Sequence, residues 1–164
     1  MLAEEIIKKN RNYWNDHADL WYGTTALPEY GVRFPTEEEL HLFGDVSGKR
    51  MLEICCGSGH HTLNYCIAWS CDERREVFDN GKLVMSKSYF DESYFKMPVH
   101  DSEIILCNRK ISMYVNALAK AGFVIEQLVE ESDQASLEAE NDPDPKTRKA
   151  KMLPLSFCIK ARKL

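Results

Sequence analysis

Residues 52 to 60, LEICCGSGH, constrain the fold of this chain more than any other stretch. KRMLEI, residues 49 to 54, is a short apolar run with an acid near its end, the pattern of a buried strand. Gly57-Ser58-Gly59 comes next as a tight turn. Glycines at such a turn let the backbone approach a ligand closely, and free N–H groups at a helix start favour its anionic end. Glu53, Gly57 and Gly59 are therefore the candidate cofactor-binding residues read from the turn itself. A plain strand-to-helix turn uses the same residue types, so the turn alone leaves both readings open.

A chain of 164 residues fits one domain and can bury a core. With 44% hydrophobic and 29% charged residues it has the composition of a folded protein, not a disordered one. The net charge of −5, without a basic patch interleaved with aromatics, argues against nucleic-acid binding. MLAEEIIKKN lacks the apolar core of a signal peptide, and no apolar run is long enough for a bilayer, so a cytoplasmic protein is expected. In that setting the six cysteines, at positions 55, 56, 66, 71, 107 and 158, read as reduced thiols.

Ile6, Ile7, Tyr13, Trp14, Leu20 and Trp21 predict an opening helix with a broad apolar stripe. Trp14, Trp21 and Tyr22 are expected as aromatic core, with cavity lining as their alternative role. Thr36 and Glu39 form a capping-box pattern for a second short helix that Gly44 can end. Residues 60 to 71 are ambiguous between helix and strand, with a helix from His60 slightly favoured. An Asp79-Asn80-Gly81 turn leads into a strand over 82–90, expected to pair with EIILCNRK (103–110) as a hairpin around residues 93–102. Ser112 is expected to cap a helix that Gly122 stops, and FVIEQLVEE (123–131) to form a strand. Residues 130–149 read as a solvated loop, with Pro143 and Pro145 opposing regular structure. Alternation of Leu155, Phe157, Ile159 and Ala161 with polar residues predicts a last strand with one buried face.

VSGKRMLEICCGSGH resembles the first motif of class I S-adenosylmethionine-dependent methyltransferases, a hydrophobic strand, an acid and Gly-x-Gly-x-Gly. Glu53, Gly57 and Gly59 match the family's acid and its second and third glycines, while Cys55 stands in place of the first and joins the candidate cofactor-binding residues only through this resemblance. NRNYWNDHADLWY is similar to the N-terminal helix of the small-molecule branch related to ubiquinone-biosynthesis enzymes. NRKISMYVNALAKAGFVIEQLVEES and LSFCIKARKL are similar to that branch's late helix and strand and to its final, antiparallel strand. The resemblance implies an α/β Rossmann-like fold, S-adenosylmethionine as cofactor and an unidentified small-molecule acceptor.

Several of the family's parts have no counterpart. The acid that holds the ribose hydroxyls lies about 20 residues after the glycine motif. Asp72 and Glu73 lie at that distance, but too few residues intervene for the crossover helix a parallel strand requires. With each βα unit taking roughly 30 residues, three absent units correspond to on the order of 90 residues. CIAWSCDERREVFDNGKLVMSKSYFDE resembles the family's segment beyond its fifth strand, which puts the join near His60 to Tyr65.

The expected architecture is thus one incomplete Rossmann-like domain over residues 1–164, lacking the central βα units. It divides into an N-terminal helical segment (1–48), strand and glycine motif (49–60), a junction (61–81), and a C-terminal hairpin, helix and strand pair (82–164). Strands left without neighbours must re-pair within the chain or be completed by a second copy, so a mixed sheet in an intertwined homodimer is expected. The family's catalysis rests on positioning, and whether methyl transfer survives the shortening is open. A non-catalytic dimeric interaction protein is the alternative. Two further readings are a zinc site from Cys55, Cys56, His60, His61, Cys66 and Cys71, and a Cys56 thiol nucleophile beside a histidine. The first lacks any Cys-x-x-Cys pair, and the second lacks an orienting third group.

Overall fold

The computed structural model describes residues 3–21, 30–31, 33–50, 63–64, 78–79, 82–85 and 88–164. Helices and small antiparallel sheets make up the described chain: one sheet of three strands and two of two strands. Among the described residues no helix is long and apolar enough to cross a membrane.

Helix α1 spans Ala3–Asp16, with Glu4 and Glu5 in its first turn, where acids complement the helix dipole. The helix breaks at His17 and resumes as the short α2, Ala18–Trp21. Its buried apolar residues are only Ile6 and Tyr13, whereas Ile7, Trp14 and Leu20 are exposed. The expected broad stripe is therefore narrow, and Trp14 is not core. Ile6, Asn10, Tyr13 and His17, spaced 4, 3 and 4 apart, form the inward face instead.

That face lies along a hairpin of β4 (Tyr94–Val99) and β5 (Ser102–Cys107), in register from Tyr94↔Cys107 to Val99↔Ser102. The expected pairing of 82–90 with 103–110 is overturned. Among the described residues there, Lys82–Leu83 (β3) alone is strand, and it pairs with Phe78–Asp79 (β2). Asp79 sits opposite Lys82, across an Asn80-Gly81 connection that lies outside the described residues. Residues 93–102, expected as the hairpin's turn, instead supply its first strand. The reversal is the two-residue connection His100-Asp101, where His100 takes φ +51°. No glycine marks it, which is why alternation nearer to a glycine is the stronger signal in the sequence. Lys96 and Pro98 on β4 are residue types that discourage a bare edge from pairing with other chains.

Thr36 precedes helix α3, Glu37–Leu40, and Glu39 reaches back to accept hydrogen bonds from the Thr36 N–H (2.7 Å) and Oγ1 (3.0 Å). His41, at φ 48°, ends this single turn in place of Gly44. Helix α4, Ile111–Lys120, has Lys110 as its N-cap, so Ser112 lies inside the helix. Gly122 stops it as expected: at φ +77° its N–H donates to the Ala119 carbonyl at 3.0 Å.

The chain passes directly into β6, Phe123–Val129, which pairs antiparallel with β7, Ser156–Lys163, from Phe123↔Lys163 to Val129↔Cys158. The register shifts between Ile125 and Gln127, a bulge at Glu126. On its other edge β7 pairs with β1, Leu63–Asn64, giving the order β1-β7-β6 with both pairings antiparallel. Leu63–Asn64 is thus strand, within the stretch for which the sequence slightly favours helix. Both faces of β7's first half are covered: Ser156 and Phe157 are buried and Cys158 is half-buried, against the one-sided burial that alternation suggests.

Residues 130–149 are not simply a solvated loop. Helix α5, Gln134–Glu138, is capped by Asp133, whose carboxylate accepts from the Ser136 N–H at 2.6 Å. Helix α6, Pro145–Ala150, is capped by Asp144, which accepts from the Lys146 N–H at 2.9 Å. Pro145 occupies the first helical position, where its fixed φ helps and its missing N–H costs nothing. Ser136, Thr147, Lys149 and Ala150 are buried by this arrangement. Arg33 joins the segment to the N-terminal half: its Nη2 donates to Asp144 Oδ2 at 2.8 Å, and its carbonyl accepts from the Asp133 N–H at 3.0 Å.

Phe157, at 1% exposure, is the most buried apolar side chain among the described residues, and its ring lies 5.4 Å from that of Tyr114 on α4. It links β1, β7 and α4 at one point. Phe157→Ala should therefore cost roughly 3–5 kcal/mol. Urea unfolding should show a lower midpoint, and an unchanged midpoint would mean that Phe157 is not a keystone of the core.

Candidate functional site

The glycine motif proposed from sequence, Glu53, Cys55, Gly57 and Gly59, lies outside the described residues. So do Tyr22 and the six residues of the zinc reading, including the Cys56 of the thiol reading. Of the expected first strand, only Lys49 and Arg50 are described, and they are exposed and irregular. Among the described residues no three His, Cys, Asp or Glu side chains assemble as metal ligands. Cys107 and Cys158 are both half-buried, and neither is in a disulfide.

Two constellations stand out in the described chain. The first joins α1 to the β4–β5 hairpin through polar groups. Asn10 acts as a further strand would at the edge of β5: its Nδ2 donates to the Ile105 carbonyl at 2.7 Å, and its Oδ1 accepts from the Ile105 N–H at 2.9 Å. Lys9 hydrogen-bonds Glu103, and Lys96 pairs with the same carboxylate at 2.9 Å. These bonds, the Lys9 one foremost, lower the Glu103 carboxyl to about 2. His17 lies nearer the hairpin tip, its ring stacked on Tyr13 with centroids 4.5 Å apart. Its Nδ1 donates to the Tyr13 carbonyl at 2.8 Å and its Nε2 to Asp101 Oδ1 at 3.3 Å. The two contacts use both ring protons, and the Tyr13 carbonyl, then Asp101, hold the imidazolium above its ordinary pKa against the opposing effect of burial. A polar residue at helical spacing between Ile6 and Tyr13 is the only sequence signal for Asn10.

The second constellation is a cleft of about 380 Å³ between α3, the C-terminal half of β6 and α5. Pro35, Leu40, Leu128 and Leu137 supply apolar surface to it. Glu39, Glu130 and Glu131 supply three carboxylates, and no lysine or arginine of the described chain lines it. Phe34, Leu42 and Val129 form the core cluster of this region, with Phe43 and Cys158 packed against it. Glu37 steadies the segment after α3: its carboxylate accepts from the Leu42 N–H at 3.0 Å, the Phe43 N–H at 2.9 Å and the Tyr30 hydroxyl at 2.5 Å.

Comparison with protein-family profiles, curated proteins and solved structures finds no match for this chain.

The ionic clasp on α1 predicts a pH window for its docking. Glu103, depressed from 4.5 to about 2, contributes stability that is complete above its unfolded value and is lost as pH falls from about 4.5 towards 2. His17, raised above 6.5, contributes stability that is complete below 6.5 and is lost as pH rises through its folded value. Resistance of α1 to unfolding should therefore peak between about pH 4.5 and 6.5. His17→Gln should flatten the alkaline side and Glu103→Gln the acid side of a pH series of thermal unfolding. Unchanged flanks in both variants would contradict the assignment.

Proposed function

We propose that this chain is an S-adenosylmethionine-dependent methyltransferase-like protein that acts on a small molecule as a homodimer, with a shortened cofactor site built around Glu53, Cys55, Gly57 and Gly59. The observation that carries the reading is the order of the three-stranded sheet. β7, the last strand, lies between β6 and β1 and runs antiparallel to both. The resembled family ends in the same way: its last two strands pair beyond the fifth, with the final one antiparallel. Leu63–Asn64 lies beside β7, the neighbour that the family's fifth strand would be. It also falls within His60 to Tyr65, where the sequence resemblance puts the join between the glycine motif and the family's later part. Helix α4, the turn at Ala121-Gly122 and β6 come in the family's order.

In that reading the glycine turn directly precedes a fifth-strand equivalent. The strands that carry the ribose and adenine contacts have no counterpart in the sequence, and a second copy completes the pocket. The chemistry required of the protein is positioning: the donor methyl must lie in line with the acceptor atom in a water-poor site. Glu53 and the backbone at Gly57 and Gly59 hold the cofactor's polar end. The Cys55 side chain narrows the approach that glycine gives at that place.

Calorimetric titration of the purified chain with S-adenosylmethionine and S-adenosylhomocysteine, alongside Glu53→Ala and with the mass in solution measured by light scattering, tests the proposal. A dimer that binds either ligand in the micromolar range, with binding lost in Glu53→Ala, is the expected result. A dimer that gives no heat at millimolar ligand would favour the non-catalytic interaction protein instead. A monomer without binding would overturn both readings.

A further inference from the structure

Among the described residues β6 is the outer strand of its sheet, paired on one edge by β7 and by no described strand on the other. The cleft beside it is lined by every residue from Gln127 to Ser132. Successive strand residues point to opposite faces of a sheet. Of the residues from Gln127 to Ser132, Gln127, Leu128 and Val129 belong to β6 and the rest follow its end, so the cleft meets residues of both faces and runs along the last part of the strand's edge. The unpaired main-chain N–H and C=O groups of such an edge are a template for a further strand. The bulge at Glu126 bends the strand just before this stretch and separates it from the regular pairing of its first half.

The side chains around this edge are of two kinds. Leu128 and Leu137 are 41% and 43% exposed, and with Leu40 and Pro35 they offer apolar surface to whatever lies in the cleft. Glu39, Glu130 and Glu131 bring three negative charges with no lysine or arginine of the described chain among the lining residues. We propose that this cleft docks an extended peptide segment of a partner protein, with alternating basic and apolar residues, added as a strand to the edge of β6 that no described strand pairs. Main-chain hydrogen bonds to the edge give such a complex its affinity, and the alternate side chains give it specificity. Apolar side chains of the segment meet Leu128 and Leu137, and its lysines or arginines meet Glu39, Glu130 and Glu131.

A second copy of this chain is a poorer occupant. Two-fold pairing of β6 with itself would set the same acidic stretch of both copies against each other, and like charges across paired strands are destabilising. The proposal is independent of the cofactor reading, since none of the cleft's residues belongs to the glycine motif.

The test uses the full chain and a fluorescein-labelled hexapeptide, Lys-Val-Lys-Val-Lys-Val, read by fluorescence anisotropy at low and high salt. Two controls accompany it: the Glu-Val-Glu-Val-Glu-Val peptide, and the basic peptide N-methylated at alternate backbone amides. The proposal predicts saturable binding of the basic peptide alone, weakened at least about tenfold by N-methylation and by the double variant Glu130→Lys, Glu131→Lys. Both substituted positions are exposed, so circular dichroism of the variant should match the parent. Equal binding of the N-methylated peptide would reduce the cleft to a charged surface and overturn the strand-addition claim. Binding that survives the double variant, no binding at millimolar protein, or self-association abolished by the same substitutions would overturn the assignment of the occupant.

Discussion

The burial of Phe157 at the start of β7 is the interaction on which the rest of the described structure depends. At that residue the chain pairs with Leu63 on one side and packs against Tyr114 of α4 beside it. One residue further on, Cys158 begins the long pairing with β6 and joins the cluster of Phe34, Leu42 and Val129. The end of the sequence thereby organises segments that begin more than ninety residues earlier. Helices α5 and α6 lie in the connection between the adjacent ends of β6 and β7, two capped helices that bury Ser136, Thr147, Lys149 and Ala150.

The α1–hairpin unit is built on a different balance. Little apolar surface is exchanged there beyond Ile6, Tyr13, Ile104 and Ile105. A two-stranded hairpin is marginal by itself in water. Asn10 satisfies the backbone of β5, and Lys9 and His17 meet carboxylates along the strand and at the hairpin tip. Exposed ion pairs contribute little individually. Their role is to fix where the helix lies, while the paired hydrogen bonds of Asn10 satisfy buried backbone groups that would be costly to leave unmade.

The parts of the fold legible in the sequence rest on strong local chemistry. The Thr36–Glu39 reach-back, the Gly122 stop and the strands at 123–129 and 156–163 are all present, because each is written in adjacent residues. The misplaced elements share a physical reason. His41, His100 and Arg33 adopt left-handed conformations that sequence reading assigns to glycine. A helix end read at Gly44 therefore falls one turn too late, and a hairpin read from its glycines takes the wrong first strand. Pro145 reads as a breaker by composition, yet its position after Asp144 makes it a starter. Asn10 and His17 become recognisable as inward-facing only once the hairpin they bind is in place. The glycine motif, which carries most of the functional reading, lies outside the described residues, so that reading rests on the resemblance and on the order of the terminal strands.

Native-state hydrogen exchange of the backbone amides tests the central claim most directly. If β7 is the organising strand, the amides of residues 158–163 and their partners in β6 exchange only through global unfolding, while α1 and the β4–β5 hairpin open at lower free energy. Exchange of β7 as fast as that of the hairpin, or protection concentrated in α1 and β5, would contradict the account.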